Sequence, residues 1–404
     1  MNIEAITASD GRAVVSFDGT PHTKIVTETL DDARAQIVDL AREQAAATGQ
    51  NVTLTACDPD GTWTVVVTPT GAVIEPSGVT DATPSGPQPT EPDKPVGPPQ
   101  GRHSFLTATQ VEQPATQGWR GAATRLGLRM SPSPAERDQR ADTHAVSQHW
   151  PGPRTIIVAN GKGGSGKTPT TVLLSAVLAR HGGAGVVAWD ANQTRGTLGW
   201  RTEQGPHQAT VLDLLPHTER LLGTAAQSAD LAHYVHHQTT DRYDVLRSQP
   251  IQLAADQRVT PDDVDRVWSV MAKYYRLVLI DTGNDESDPV WLQAVEHADQ
   301  IVVPTTTRAD HAEAGALLLD ALRARDERSR RLAEGAVVVV TQADPRASKS
   351  DIATIVDGYT SLARTVVTVP HDPAIVDGVL HWDALRPTTQ RAWLRAAAAV
   401  ARGL

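Results

Sequence analysis

Gly161-Lys162-Gly163-Gly164-Ser165-Gly166-Lys167-Thr168 follows a short apolar run at 155–159 and precedes a helical pattern over 169–180. The spacing is G-x-x-x-x-G-K-[ST], that of a phosphate-binding loop. Its glycines let backbone N–H groups point inward at a polyphosphate, and the helix that follows adds partial positive charge. In that arrangement Lys167 reaches the β- and γ-phosphates, and the Thr168 hydroxyl completes the shell of a Mg²⁺ ion. A strand before the loop and a helix after it are the context this chemistry needs. The stretch therefore predicts a bound nucleoside triphosphate.

Outward from the loop, short apolar runs recur at 155–159, 185–190, 243–247, 277–281, 300–304, 336–341 and 365–369, with helical patterns between them. This alternation predicts an α/β fold over 154–404, a doubly wound and mostly parallel sheet of about seven strands with helices on both faces. Ligand belongs beyond the carboxyl ends of those strands. Two strands end in a carboxylate. Arg276-Leu277-Val278-Leu279-Ile280-Asp281 has the Walker B pattern, which assigns Asp281 to Mg²⁺ and Gly283 to a close backbone approach at the γ-phosphate. Gly185-Val186-Val187-Ala188-Trp189-Asp190-Ala191-Asn192 is the second.

Lys162-Gly163-Gly164-Ser165-Gly166-Lys167-Thr168 resembles the deviant Walker A loop of the ParA/MinD-type ATPases. The likeness continues through Asp190, Asp281, Ala298-Asp299 and Pro370-His371-Asp372-Pro373, and so covers 154 to about 400. It implies ATP and Mg²⁺ as cofactors, with Lys162 touching phosphates across an ATP-dependent homodimer. It also implies Lys162, Lys167, Asp190 and the residue at 192 as the catalytic set. Thr168, Asp190 and Asp281 become the metal set, and Gly161, Ser165, Pro169, Gln342, Pro370 and Asp372 line the nucleotide. Three departures stand out. Where the family pattern has a second carboxylate that positions the attacking water, this chain has Asn192. An amide can orient water but cannot accept a proton, and loss of such a contact costs on the order of 10²–10³ in rate. The expectation is slow hydrolysis, or ATP binding without turnover. Pro169 replaces a hydroxyl residue that would meet the α-phosphate, leaving Thr170 to supply it, and Gln342 stands where the adenine-reading strand usually ends in Asn.

Residues 1–75 show the order β-β-α-β-β-β, with turns at Ser9-Asp10-Gly11 and Asp58-Pro59-Asp60-Gly61. That predicts a small α+β domain, one helix on a mostly antiparallel sheet, without visible chemistry and suited to binding another protein. Between Pro84 and Pro99 there are seven prolines in sixteen residues, so 76–153 is expected to be a disordered, Pro-rich linker. One island, 118–130, has Trp119, Ala122, Ala123, Leu126 and Met130 on one helical face. It could dock on the ATPase domain, on a partner protein or on a membrane surface. Gly118-Trp119-Arg120, Leu126-Gly127-Leu128 and Ser131-Pro132 to Glu136 are similar to the segment ahead of the ATPase domain in EspI-like actinobacterial ATPases. Those proteins are associated with type VII secretion, and related ATPases accompany conjugative elements. The resemblance implies a regulator of such a machine, with a protein partner engaged through 1–75 or 118–130. The alternative is a partition ATPase moving on nonspecific DNA.

The formal net charge of -10 argues against a dedicated nucleic-acid binder, though Arg323, Arg325, Arg328, Arg330 and Arg331 form a local basic cluster at a helix end. The single cysteine, Cys57, excludes an intramolecular disulfide and a Cys-cluster zinc site, and fits a reducing cytoplasm. Met1-Asn2-Ile3-Glu4 lacks the basic and apolar regions of a signal peptide, and no apolar run approaches the roughly 18–20 residues of a membrane span. The chain is expected in the cytoplasm, with membrane contact at most peripheral, at the inner face through a partner. His233, His236 and His237 have the spacing of one helical face and are expected to be surface or packing residues rather than metal ligands. The final helix, 388–401, is expected to pack on the sheet through Trp393 and Leu394.

Overall fold

A computed structural model of the chain describes residues 2–8, 12–18, 20–27, 29–58, 61–74, 112–183, 185–192, 196–248, 259–376 and 378–404. It divides into two units, Met1–Arg137 and Asp138–Leu404.

In the first unit six strands pair in the order β3-β2-β1-β4-β5-β6. They are β1 (Asn2–Thr7), β2 (Arg12–Phe17), β3 (Thr20–Val26), β4 (Val52–Asp58), β5 (Gly61–Val67) and β6 (Val73–Ile74). Neighbours are antiparallel except β1 and β4, which run parallel on either side of the helix Leu30–Thr48. Period-two alternation turns Ile3, Val15, Leu54 and Val65 inward, where they meet Ile37 and Ala41 of that helix. β3 is absent from the sequence expectation because Thr20-Pro21-His22-Thr23-Lys24 carries no apolar alternation. As an edge strand it tolerates proline. Of the expected turns, Ser9, Asp10, Gly11, Pro59 and Asp60 lie outside the described residues, as does the Pro84 to Pro99 stretch. Asp58 is more than a turn former: its buried carboxylate accepts from Arg34 Nε and Trp63 Nε1, both at 3.0 Å.

Residues 112–137 complete this unit. The expected 118–130 helix is shorter, Gly118–Arg125, because Gly127 takes φ 86° and closes it. Leu128 N–H donates to Ala123 O and Gly127 N–H to Thr124 O, the paired bonds of a Schellman motif. Trp119 stacks on Trp63 with ring centroids 4.2 Å apart, and Ala123 and Met130 join the core, so this face is covered from within the unit. Leu126 is left 51% exposed. Glu136, buried on the helix Pro134–Val146, accepts from both N and Oγ1 of Thr116 at 2.8 Å, anchoring the approach to the Trp119 helix.

The second unit is built on β7 (Arg154–Val158), β8 (Val186–Asp190), β9 (His236–His237), β10 (Asp244–Leu246), β11 (Leu277–Asp281), β12 (Gln300–Thr306), β13 (Val337–Thr341) and β14 (Thr365–Val369). Their order is β14-β13-β12-β7-β11-β8-β10-β9, parallel throughout except for β9 at one edge. Nearly continuous Val, Ile and Leu runs suit strands buried on both faces. Lys167–Gly182 and Pro387–Ala401 pack on one face of the sheet, and Pro261–Tyr274, Pro289–Glu296 and Ala309–Arg325 on the other. The doubly wound parallel sheet expected from the alternation is the observed fold. Asp142 reaches Arg391 and Arg402 of the C-terminal segment at 2.7 Å each, and Val146 lies in the core, so the unit takes in residues ahead of β7.

Two local readings change. His236 and His237 form an edge strand rather than a helical face, because they pair with Val245 and Asp244 of β10. His236 is buried, with Nε2 at 2.9 Å from Ala209 O, and His237 Nδ1 lies 2.7 Å from Asp244 Oδ1. The arginine cluster spans two helices, Ala309–Arg325 and Glu327–Glu334, and each of its five guanidinium groups faces a carboxylate of Asp320, Glu296, Asp326, Glu327 or Glu334. Among the described residues no helix is long and apolar enough to cross a membrane.

Candidate nucleotide site

β7, β8 and β11 lie side by side, and their carboxyl ends bring the phosphate loop, Asp190 and Asp281 together. The loop is fixed by a residue the sequence reading passed over. Asn160, fully buried, donates from Nδ2 to Pro304 O at 2.9 Å and His311 O at 3.1 Å, and its Oδ1 accepts from Lys162 N–H at 2.9 Å. The only sequence signal was a polar residue directly after an apolar strand. Gly164 and Gly166 adopt φ of 82° and 97°, in the left-handed region that a side chain disfavours.

The two lysines of the loop sit in opposite surroundings. Lys167 is buried at the start of the helix Lys167–Gly182, and its ammonium donates to Asn160 O (2.8 Å), Lys162 O (3.1 Å) and Asn284 Oδ1. Burial lowers its pKa, against the upward pull of Asp281 and Glu286. Lys162 is half exposed, with Nζ 3.7 Å from Asp310.

The two strand-end carboxylates are register partners on β8 and β11. Asp281 Oδ2 accepts from Thr168 Oγ1 at 2.7 Å, and Thr168 Oγ1 also lies 2.9 Å from Thr197 Oγ1. Burial, reinforced by the charge of Asp190, pushes the Asp281 carboxyl up to about 7. Asp190 is pushed up to about 6 by burial, opposed by hydrogen bonds from Asn192 N–H, the Ser248 side chain and Leu198 N–H. Among the described residues nothing bonds Asp281 Oδ1 in ordinary hydrogen-bond geometry, although the atom is buried. A bare carboxylate oxygen beside a threonine hydroxyl is a hard, oxygen-only donor set that fits Mg²⁺. Thr168 and Asp281 would hold the ion, with Asp190 behind them.

Asn192 keeps its backbone N–H on Asp190 Oδ1 at 3.1 Å, and its Oδ1 lies 3.6 Å from where a Cβ at Gly283 would stand. Asn192 and Gly283 thus face each other across a narrow cleft that Thr282 and Asn284 also line. On the other side of the loop is a cavity of about 230 Å³, lined by Gly164, Gly166, Pro169, Gln342, Asp372 and Trp393 among others. It is large enough for part of a nucleoside, and it places Pro169 and Gln342 together as expected from sequence. Pro370 is not among its lining residues; its neighbours His371 and Asp372 are. Gln342 has its amide engaged, donating to Ala347 O at 3.1 Å and accepting from His371 N–H at 3.4 Å. Asp372 accepts from the N–H groups of Ala374 and Arg386, which makes it the brace of this loop. Thr170 is buried, its hydroxyl without a partner among the described residues, one helical turn into the segment behind the loop.

Residues 153–331 match a family model described as an AAA domain. A search of the solved structures finds a ParA family ATPase from Chlorobium tepidum, 17% identical, covering 61% of this chain and 98% of that one with a TM-score of 0.50. The fold is that of a ParA-type ATPase. The septum site-determining protein MinD from Pyrococcus horikoshii, complexed with Mg-ADP, is 19% identical, covering 61% of this chain and 94% of its own with a TM-score of 0.46. No curated protein matches the chain. Within the ParA-type fold, the sequence-assigned loop, Asp190, Asn192 and Asp281 converge on one site.

Proposed function

We propose that this chain binds ATP with Mg²⁺, closes into a homodimer around it and hydrolyses it slowly, as the nucleotide switch of a type VII secretion or conjugation machine. The observation that carries the reading is the contrast between the two loop lysines. Lys167 is buried in the cradle, while Lys162 points to the surface with an acidic side chain as its near neighbour, free to meet a phosphate bound by a second copy. Mg²⁺, when bound, neutralises charge on the terminal phosphates. The chain's own residues do the rest. Loop N–H groups and Lys167 bind the phosphates, Thr168 and Asp281 orient the metal side, and Asn192 holds water by hydrogen bonding without taking its proton. The assignment to a secretion or conjugation machine rests on the likeness of 118–136 to EspI-like proteins. It makes 1–75, with the 118–130 segment, the partner-binding module of a cytoplasmic protein that reaches the membrane through that partner. The DNA-partition alternative asks for uncommitted arginines, and the cluster at 323–331 has each of its guanidinium groups facing a carboxylate.

Light scattering of the full chain with and without MgATP tests the switch. Wild type is expected to dimerise with ATP, while Lys162→Ala binds nucleotide and stays monomeric. A Lys162→Ala variant that still dimerises on ATP overturns the reading. Affinity capture with and without ATP, with Lys167→Ala as the non-binding control, tests the partner assignment.

A further inference from the structure

The loop after β11, Gly283-Asn284-Asp285-Glu286, reaches back onto the phosphate loop. An ammonium has three N–H donors, and those of Lys167 go to Asn160 O, Lys162 O and Asn284 Oδ1. Of the three acceptors only Asn284 is a side chain that can swing away. Glu286 sits beside the first glycine: a Cβ built on Gly161 would lie 2.6 Å from Glu286 Oε1. Burial, with the charge of Asp285, raises the Glu286 pKa, against the downward pull of the Gly161 N–H and the charge of Lys167 that the carboxylate faces. Among the described residues no bond of ordinary geometry satisfies Oε1, which is buried. One amide and one carboxylate thus stand against a loop N–H and a lysine ammonium, the two kinds of donor that a polyphosphate uses.

We infer that Asn284 and Glu286 are self-ligands of the phosphate loop, which a nucleotide's terminal phosphates must displace. The inference rests on the nucleotide-site reading and adds an internal competitor to it. Three consequences follow from the chemistry. Glu286 carries the same sign of charge as a phosphate, so the two exclude each other from the loop at any pH where both are ionised. Displacement depends on phosphates alone, so it raises the threshold for inorganic tripolyphosphate as much as for ATP and leaves adenosine unaffected. Release of Asn284 and Glu286 also frees the loop that faces Asn192, so filling the phosphate site and rearranging the water-positioning cleft become one event.

The test is competitive binding of a fluorescent ATP analogue to the full chain, displaced by ATP, tripolyphosphate or adenosine. The variants are Asn284→Ala, Glu286→Gln, the pair combined and Lys167→Ala. Losing one charge-assisted competitor is expected to tighten ATP and tripolyphosphate about tenfold each, with adenosine unchanged. Melting in the absence of ligand provides a second readout: Asn284→Ala, which removes an acceptor of the Lys167 ammonium, should lower the nucleotide-free midpoint and enlarge the shift that ATP produces. Unchanged or weaker ATP binding in Glu286→Gln and Asn284→Ala, with Lys167→Ala still losing it, overturns the self-ligand inference alone. Undiminished ATP binding by Lys167→Ala overturns the phosphate-site reading beneath it.

Discussion

Of the two strand-end carboxylates Asp281 carries the larger electrostatic penalty, and Asp281→Asn exposes it. In the ligand-free chain burial and Asp190 raise its carboxyl from 3.8 to about 7. A folded pKa above the unfolded value means that the native state holds the proton more tightly. Rising pH therefore destabilises the fold through the window from about 4 to about 7, and the penalty is complete above it. A rise of that size corresponds to about 4 kcal/mol against the ionised form. Side-chain relaxation and water entry into the site reduce it, so about 1–2 kcal/mol is expected to be recoverable by substitution. Asparagine keeps an acceptor for Thr168 Oγ1 and cannot ionise. Urea unfolding of wild type and Asp281→Asn, in chelator at pH 5 and pH 8.5, reads this group together with its coupling to Asp190, because titrations elsewhere are common to both proteins. The variant should be more stable by about 1–2 kcal/mol at pH 8.5, or about 3–6 °C in midpoint, and by only about a third of that at pH 5. Saturating MgATP should reverse the order at pH 8.5, since cation and nucleotide stabilise only the protein that binds them. A stability difference that is the same at both pH values would refute the assignment of Asp281 as a buried, uncompensated carboxylate.

Two further outcomes are expected. Asn192→Asp should raise single-turnover ATP hydrolysis by at least about tenfold, since it restores a proton acceptor opposite Gly283; an unchanged rate would show that residue 192 is not what limits turnover. Trp119→Ala removes the stack on Trp63 and should cost the first unit about 1–3 kcal/mol. Hydrogen exchange of the full chain reads this as faster exchange in β1, β4 and β5 with the second unit unaltered, and uniform protection would show the stack to be energetically idle.

What could be read in the sequence was local. The glycine spacing of 161–168, the carboxylates at strand ends and the valine runs each declare themselves within about ten residues, and all found their expected places in the sheet. Contacts between distant segments did not. Asn160 matters through Pro304 and His311, and Asp190 meets Asp281 through strand register. The Trp119 helix finds Trp63, a partner on the far side of the Pro-rich stretch, where composition suggested a docking target elsewhere. β3 and β9 hid for a different reason: edge strands need no strict apolar alternation, and helical spacing arises by accident at His233, His236 and His237, of which the last two form β9.

The same distinction explains why the phosphate loop was legible and its competitor was not. A loop that cradles phosphate must present N–H groups at fixed spacing, and only glycine at set positions allows that, so its chemistry is written as a pattern. Asn284 and Glu286 act through side chains on a separate strand end, where any acidic or amide residue of the right reach would serve. No spacing rule marks them, and in the sequence Asn284-Asp285-Glu286-Ser287-Asp288 looks like a solvated turn. What distinguishes it is position: the parallel register of β7 with β11 delivers it to the mouth of the loop. An acidic stretch in that place opposes an anionic ligand, so the sequence of the turn is informative only after the sheet order is known. Affinity in this site is therefore set by two elements of opposite character, a glycine-patterned attractor and an unpatterned repulsive turn, and comparison of ATP with tripolyphosphate separates their contributions.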